Sequence, residues 1–371
     1  MSCTRVFVRA SRGYSTSVQT SAISKFPEGS TIYSLIQPTG RIHLGNYLGA
    51  IRNWRDISSI ESRDTKYIFG IADLHALTLP QDPVILKKNR YEAIASILAA
   101  GIDPEKCILY HQSSVPEHAE LNWILTCITS MGYLNRMTQW KSKAKTGDDS
   151  SVYQDEVLAN VKAGLLCYPI LQTADILLYK STHVPVGDDQ SQHLELCRHT
   201  ASNFNHAFKT NFFPQPKTLL TPTKKVLSLR NPAKKMSKSD IDQNSCIYVN
   251  DSFEITSKKI RKATTDSIQG KITYDPIERP GVSNLLTIIS GLTRKPMETT
   301  VDELSWITNH KELKDYVSEL LEAEFKDTRQ LFDELTKNTE YLDKICKNGN
   351  DRARSIASTN MKEIKKLTGL D

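Results

Sequence analysis

No run of apolar residues in this chain approaches the ~20 that a membrane-spanning helix needs, the longest blocks being broken by Lys, Asp or Pro within a few turns. No membrane partner is therefore expected. The seven cysteines, at positions 3, 107, 127, 167, 197, 246 and 346, are odd in number, scattered, and contain no Cys-x-x-Cys pair. Neither a disulfide framework nor a structural zinc site is expected, no metal ligand is assigned, and a reducing compartment fits. Internal repeats and low-complexity tracts are lacking, which excludes solenoid architectures. Acidic residues are lacking from the first 27 positions, where Arg5, Arg9, Arg12 and Lys25 give a charge of +4 out of a formal net charge of +6. The rest of the chain is nearly balanced, so a polyanionic partner needs a local basic patch.

What is present is ordinary globular composition over 371 residues, with 39% hydrophobic and 24% charged residues. That length is room for about two domains. In the head, Arg5, Arg9 and Arg12 share one helical face opposite Val6, Phe7 and Ala10, and Ser and Thr fill much of the remainder. This is the composition of a mitochondrial targeting peptide. A cut is expected near Arg12-Gly13-Tyr14-Ser15-Thr16, and residues 1–30 are assigned to targeting peptide and linker.

After the head, strand and helix signals alternate. Thr31–Ile36, Tyr67–Ile71, Cys107–Tyr110 and Val184–Gly187 read as strands, and Val226–Leu229 as a further short one. Helices are expected from Leu44, over Val84–Ala100, Glu120–Met137 and Gln190–Phe208. The pattern predicts an α/β fold, a doubly wound, parallel-sheet (Rossmann-type) domain over 31–240. Beyond residue 250 strand signals end, and Leu313, Val317, Leu320, Leu321, Phe332 and Leu335 mark a long amphipathic helix. An all-helical C-terminal domain is expected over 241–371.

Two segments carry chemistry. Gln37-Pro38-Thr39-Gly40-Arg41-Ile42-His43-Leu44-Gly45-Asn46 lies where a strand ends and a helix begins, with backbone N–H groups suited to phosphate. Lys235-Met236-Ser237-Lys238-Ser239 sets two lysines in a small hydroxyl-bearing loop, suited to diphosphate and to the charge on a departing pyrophosphate. Each alone is a weak signal, the second reading equally as a solvated surface loop.

Together, in this order, they resemble the paired HIGH and KMSKS signatures of class I aminoacyl-tRNA synthetases. KMSKS is matched in full. HIGH stands as His43-Leu44-Gly45-Asn46, a variant similar to the tryptophanyl branch. Tyr168-Pro169-Ile170-Leu171-Gln172-Thr173-Ala174-Asp175-Ile176-Leu177-Leu178-Tyr179 and Val184-Pro185-Val186-Gly187-Asp188-Asp189-Gln190 resemble the amino-acid and ATP-binding stretches of the bacterial and organellar tryptophanyl-tRNA synthetases. The likeness runs from about residue 31 to the end. Gln172 departs from the bacterial pattern, which has Met there, and the segment Lys145 to Asn160 is longer than that pattern and reads as a solvated loop.

The resemblance implies a tryptophan–tRNA ligase that forms tryptophanyl-adenylate from L-tryptophan and ATP, with Mg2+ as part of the nucleotide complex, and charges tRNA(Trp). It implies a homodimer in the mitochondrial matrix. Gln37, Pro38, Thr39, His43, Gly45 and Asn46 are expected to cradle ATP, with Gly187, Asp188, Asp189 and Gln190 on its ribose or base side and Val226 along adenine. Lys235, Met236, Ser237, Lys238 and Ser239 are expected at the phosphates, with Lys141 beside them; His43, Asn46, Lys235 and Lys238 are the expected catalytic set. Asp175 is expected to accept the indole N–H, paired to it alone. Tyr168, Gln172 and His75 complete the tryptophan pocket. Lys258, Lys259, Arg261 and Lys262 are expected to meet tRNA phosphates, or else to form a solvated helix face. The competing readings are a tyrosyl-tRNA synthetase, which shares fold and ATP motifs, and a non-catalytic RNA-binding protein on a synthetase fold. The intact ATP lysines and His43 speak against the latter.

Overall fold

A computed structural model describes residues 17–19 and 25–371, apart from 39, 61, 145–153, 156, 158–160, 188–189, 221–224, 239 and 269. Most of the expected targeting head and most of the 145–160 loop thus lie outside the described residues.

Six parallel strands form one sheet: β1 (Ser17–Gln19), β2 (Thr31–Ile36), β3 (Lys66–Ile71), β4 (Cys107–His111), β5 (His183–Val186) and β6 (Lys217–Leu220), in the spatial order β1-β6-β5-β2-β3-β4. Successive side chains of a strand point to opposite faces. Accordingly Ile32, Phe69, Cys107 and Leu109 enter one apolar cluster while Tyr33, Ile68, Ile108 and Tyr110 enter the other. Both faces are covered, as a parallel sheet requires. From β2 the chain winds outward through β3 and β4, then returns to the other side of β2 for β5. The strand order reverses there, and ligands of such sheets bind outside the strand ends at that reversal.

The doubly wound expectation holds, with three revisions. The Val226–Leu229 strand is instead a bridge of Leu227 to Lys235, and the sixth strand is Lys217–Leu220, too short and too closely preceded by Pro214 and Pro216 to announce itself. The helix expected over Glu120–Met137 is two, Glu117–Cys127 and Met131–Asn135, because Ser130 leaves the helix and its hydroxyl accepts from Tyr133 N at 3.2 Å. Within the segment assigned to targeting peptide and linker, Ser17–Gln19 pairs with β6 and Phe26 is buried in edge-to-face contact with Tyr67 and His183, so the packed unit starts before residue 31.

The C-terminal region is helical as expected, with Phe253–Arg261, Pro280–Thr293, Met297–Glu303, His310–Lys337 and Thr339–Thr368. It is not separate from the sheet. The final helix returns to β4, burying Ala353, Ala357, Met361 and Ile364 in the same cluster as Tyr33 and Ile108. Among the described residues no helix is long and apolar enough to cross a membrane.

Candidate active site

At the end of β2, Gly40 has φ +84, a left-handed turn that glycine adopts without strain, and a Cβ there would press on the Asn89 amide. The chain then enters the Leu44–Asn46 helical turn with His43 as its cap, Nδ1 accepting from Asn46 N at 3.3 Å. A neutral His43 ring therefore carries its proton on Nε2. Leu44 N donates to Ile247 O at 2.9 Å, fixing the turn against the C-terminal region. Gly45 faces the His43 ring, a Cβ there coming 2.9 Å from Cε1 and 3.9 Å from the Val226 side chain. The first motif and Val226 thus lie side by side.

The lysine loop is held to the same place. Met236 is buried, its N–H donates to Val226 O at 3.0 Å, and the Asn284 amide clamps Leu227 through its N (2.8 Å) and O (3.0 Å). Lys235 and Lys238 stay on the exposed side. His43 is held down at about 4, first by burial and then by the charges of Lys235 and Lys238. Burial lowers Lys238 as well. The two motifs, His43 and Lys235 being 192 positions apart in sequence, therefore share one electrostatic site, with a neutral imidazole near two cations. Thr39, Asp188, Asp189 and Ser239 lie outside the described residues. Gly187 O accepts from Gln190 N at 3.0 Å at the end of β5.

Across the strand ends lies a buried acid. Asp175, on the Ala163–Leu178 helix, is fully buried. The expectation that it waits for the indole alone is wrong. His75 Nε2 is 2.8 Å from Oδ2, Gln112 Nε2 donates to both oxygens at 2.8 and 2.9 Å, and His118 Nδ1 is 2.7 Å from Oδ1. The physical reason is that a fully buried carboxylate must be paired even before a ligand arrives. Burial alone would push its carboxyl above the usual carboxylate range; His118 and then His75 outweigh that and hold its pKa at about 2. A carboxylate accepts about four hydrogen bonds. Gln112 spans both oxygens, and His75 and His118 sit one on each, so a substrate donor has to share an oxygen with one of them.

Tyr168, two helical turns before Asp175, donates to Gln139 Oε1 at 2.9 Å, and its ring edge faces His75 with centroids 6.2 Å apart. His193 Nδ1 sits 2.7 Å from Gln172 Oε1 and 3.1 Å from Gln190 Oε1, and Gln172 Nε2 donates to Gln190 at 3.2 Å. The amide of Gln172 is thus employed in orienting His193 and Gln190. Lys141 is buried, its Nζ 5.7 Å from the Trp140 ring centroid. Lys259 departs from its expected role: it is buried, donating to Asp251 Oδ2 at 2.6 Å and to Cys246 O at 2.8 Å, because Asp251 needs a counter-charge. Lys258, Arg261 and Lys262 remain exposed.

Four participants escaped the sequence. Gln112 carries a faint signal, a polar residue at the end of an apolar strand. His118, His193 and Asn284 carry none, since each sits inside an unremarkable helix.

The model of the family described as tRNA synthetases class I (W and Y) matches residues 27–326. The chain is 52% identical over 343 residues to the mitochondrial tryptophan–tRNA ligase of Saccharomyces cerevisiae, covering 91% of this chain and 90% of that one. Among solved structures, tryptophanyl-tRNA synthetase from Mycoplasma pneumoniae superposes with a TM-score of 0.80 at 31% identity, over 92% of this chain and 98% of that one. The Campylobacter jejuni enzyme, complexed with ADP and tryptophan, superposes with a TM-score of 0.71 at 32% identity, over 92% and 100%. On the match to its family model and the extent of these likenesses, the chain belongs to the class I tRNA synthetases of the tryptophan and tyrosine group.

Proposed function

We propose that this chain is a tryptophan–tRNA ligase of the mitochondrial matrix, acting on L-tryptophan, ATP carrying Mg2+, and tRNA(Trp). The observation that carries the reading is the buried Asp175 acceptor at the same strand ends as His43 and the lysine loop. The close likeness to a mitochondrial tryptophan–tRNA ligase supports tryptophan over tyrosine.

Activation needs no protein nucleophile. The tryptophan carboxylate attacks the α-phosphorus of ATP, an O–P bond forms, the bond to the β-phosphate bridging oxygen breaks, and pyrophosphate leaves with the electron pair. A hydroxyl of the terminal tRNA adenosine then attacks the adenylate carbonyl and AMP leaves. Positioning and electrostatics supply the catalysis. His43, neutral with its proton on Nε2, donates toward the nucleotide phosphates, and the Asn46 side chain does so one turn on. Lys235 and Lys238 neutralise the pyrophosphate as its charge grows, with Met236 anchoring their loop and Ser237 and Ser239 offering hydroxyls. Gln37, Pro38, Thr39 and Gly45 let ATP approach the backbone, Gly187, Asp188, Asp189 and Gln190 take its ribose or base side, and Val226 packs on adenine. Lys141 completes the phosphate side. Asp175 accepts the indole N–H, while Tyr168, Gln172 and His75 line the pocket.

Residues 31–240 carry this chemistry and 241–371 read the tRNA anticodon, with Lys258, Arg261 and Lys262 on its phosphates. A second copy of the chain is the partner best suited to the exposed apolar side chains Trp123 and Met131, 69% and 49% accessible. Since Ser17–Gln19 pairs with β6 and Phe26 is buried, processing after about Tyr14 suits the fold better than processing at Pro27. Charging of mitochondrial tRNA(Trp) with labelled tryptophan tests the function. Stable charging with tryptophan and none with tyrosine is expected, and the reverse would reject it.

A further inference from the structure

Behind Asp175 lies a chain of polar side chains that the mechanism above does not use. His118, on the Glu117–Cys127 helix, is fully buried with Nδ1 2.7 Å from Asp175 Oδ1. Its other ring nitrogen, Nε2, is 3.1 Å from the hydroxyls of both Tyr110 and Tyr179. The Tyr110 hydroxyl is in turn 2.7 Å from that of Tyr33 on β2. The rings are stacked, Tyr110 on His118 at 5.8 Å and Tyr33 on Tyr179 at 5.3 Å between centroids.

Counting protons constrains the carboxylate end of this chain. A tyrosine hydroxyl has one proton, a neutral imidazole one, and a carboxylate none. Lone pairs on Nδ1 and Oδ1 would repel at 2.7 Å, so the imidazole proton is on Nδ1. Nε2 then accepts, and a tyrosine hydroxyl donates to it. Burial foremost, and the negative charge of Asp175 with it, push Tyr33 and Tyr110 well above the ordinary tyrosine range, so both remain donors. Whichever of Tyr110 and Tyr179 donates to Nε2, the Nδ1 side of His118 faces the carboxylate. Stability does not account for it, because buried charged networks are commonly replaced by apolar residues at little cost.

We propose that His118 is a positioning residue for substrate choice: backed by Tyr110, Tyr33 and Tyr179, it holds the Asp175 carboxylate in the orientation in which one of its oxygens takes the ring N–H of the amino acid beside the donors already there. His75 and Gln112 hold the carboxylate from the other side. The inference rests on the reading of Asp175 as the indole acceptor. Its consequence is selective, since a site built to receive an N–H rejects an isostere lacking one more strongly than it rejects altered bulk.

The test measures kcat and KM in ATP–pyrophosphate exchange with L-tryptophan and with benzothienylalanine, the sulfur isostere without the N–H. The proteins are wild type, Asp175→Asn, His118→Leu, His118→Asn, and the double variant Tyr110→Phe/Tyr179→Phe. His118→Leu should raise the KM for tryptophan about 10-fold, by letting the carboxylate turn away from the ring N–H, with the KM for ATP and the use of the isostere little changed. His118→Asn, whose amide donates from near the Nδ1 position, should restore most of the loss. Equal losses for both amino acids, or an unchanged preference, would overturn the proposal. Should His118→Leu not fold, the double tyrosine variant decides by the same preference. If Asp175→Asn itself retains the preference, the acceptor reading fails and takes this proposal with it. If Asp175→Asn loses it while the His118 and tyrosine variants keep it, only the proposal fails.

Discussion

Gly349, in the first half of the final helix, lies so close to Leu109 of β4 that a Cβ built on it would overlap the Leu109 carbonyl oxygen. The contact is flanked by Asn350 Oδ1 accepting from His111 N at 2.9 Å and Arg352 donating to Pro104 O at 2.9 Å. Gly349→Ala must lift the helix off the sheet. It is expected to cost at least about 1–3 kcal/mol of stability, the usual range for overpacking, seen as a lower midpoint in thermal or urea unfolding. Because Gln112 follows β4 directly, tryptophan affinity should weaken as well. An unchanged midpoint would mean that the helix does not dock on β4.

Lys235→Ala and Lys238→Ala should each slow adenylate formation on the order of 10² to 10³-fold while barely changing tryptophan binding, since the leaving-group charge is greatest in the transition state. Single-turnover kinetics beside equilibrium tryptophan binding separates the two effects. Equal losses in both would contradict the assignment.

The imidazole of His43 gives stability a pH dependence of known sign. It is held at about 4, chiefly by burial, against about 6.5 in an unfolded chain. As pH falls from 6.5 towards 4 the unfolded chain takes up a proton that the folded protein refuses, so stability declines by up to about 1.4 kcal/mol per pH unit for this group. His111, held at about 4 by burial and then by Arg90, acts in the same direction. His43→Gln should flatten the slope between pH 4 and 6.5, leaving the His111 share. An unaltered slope would show that His43 titrates normally.

Asp175→Asn removes the charge and turns an amide donor towards His75, Gln112 or His118, all of which present donors to the native carboxylate. Tryptophan-dependent activation should fall by about 1.5–3 kcal/mol, with a loss of folding stability beside it. Nucleotide binding, measured on folded protein, should persist. Normal tryptophan activation by the variant would make Asp175 a structural acid only.

How much of this was legible depended on the reach of each signal. The strands β2 to β5 and the ATP motifs were readable because apolar runs and glycine turns are local. The lysine loop and His43 were each visible, but their shared field arises only when the sheet brings residue 43 to residue 235. Asp175 was recognisable as an acid among apolar neighbours, whereas its donors come from three other elements and from residues with no local pattern. Lys259 was misread for a similar reason, since its partner Asp251 is what draws it inward. The short β6 strand fell below what four residues between prolines can announce.

The central claim is that the buried acceptor and the two ATP motifs form one tryptophan-activating site. ATP–pyrophosphate exchange by the purified protein, run with tryptophan, with tyrosine and with no amino acid, tests it most directly. Exchange that requires tryptophan and stays at background with tyrosine is the expected result; exchange driven by tyrosine, or none with either amino acid, would contradict it.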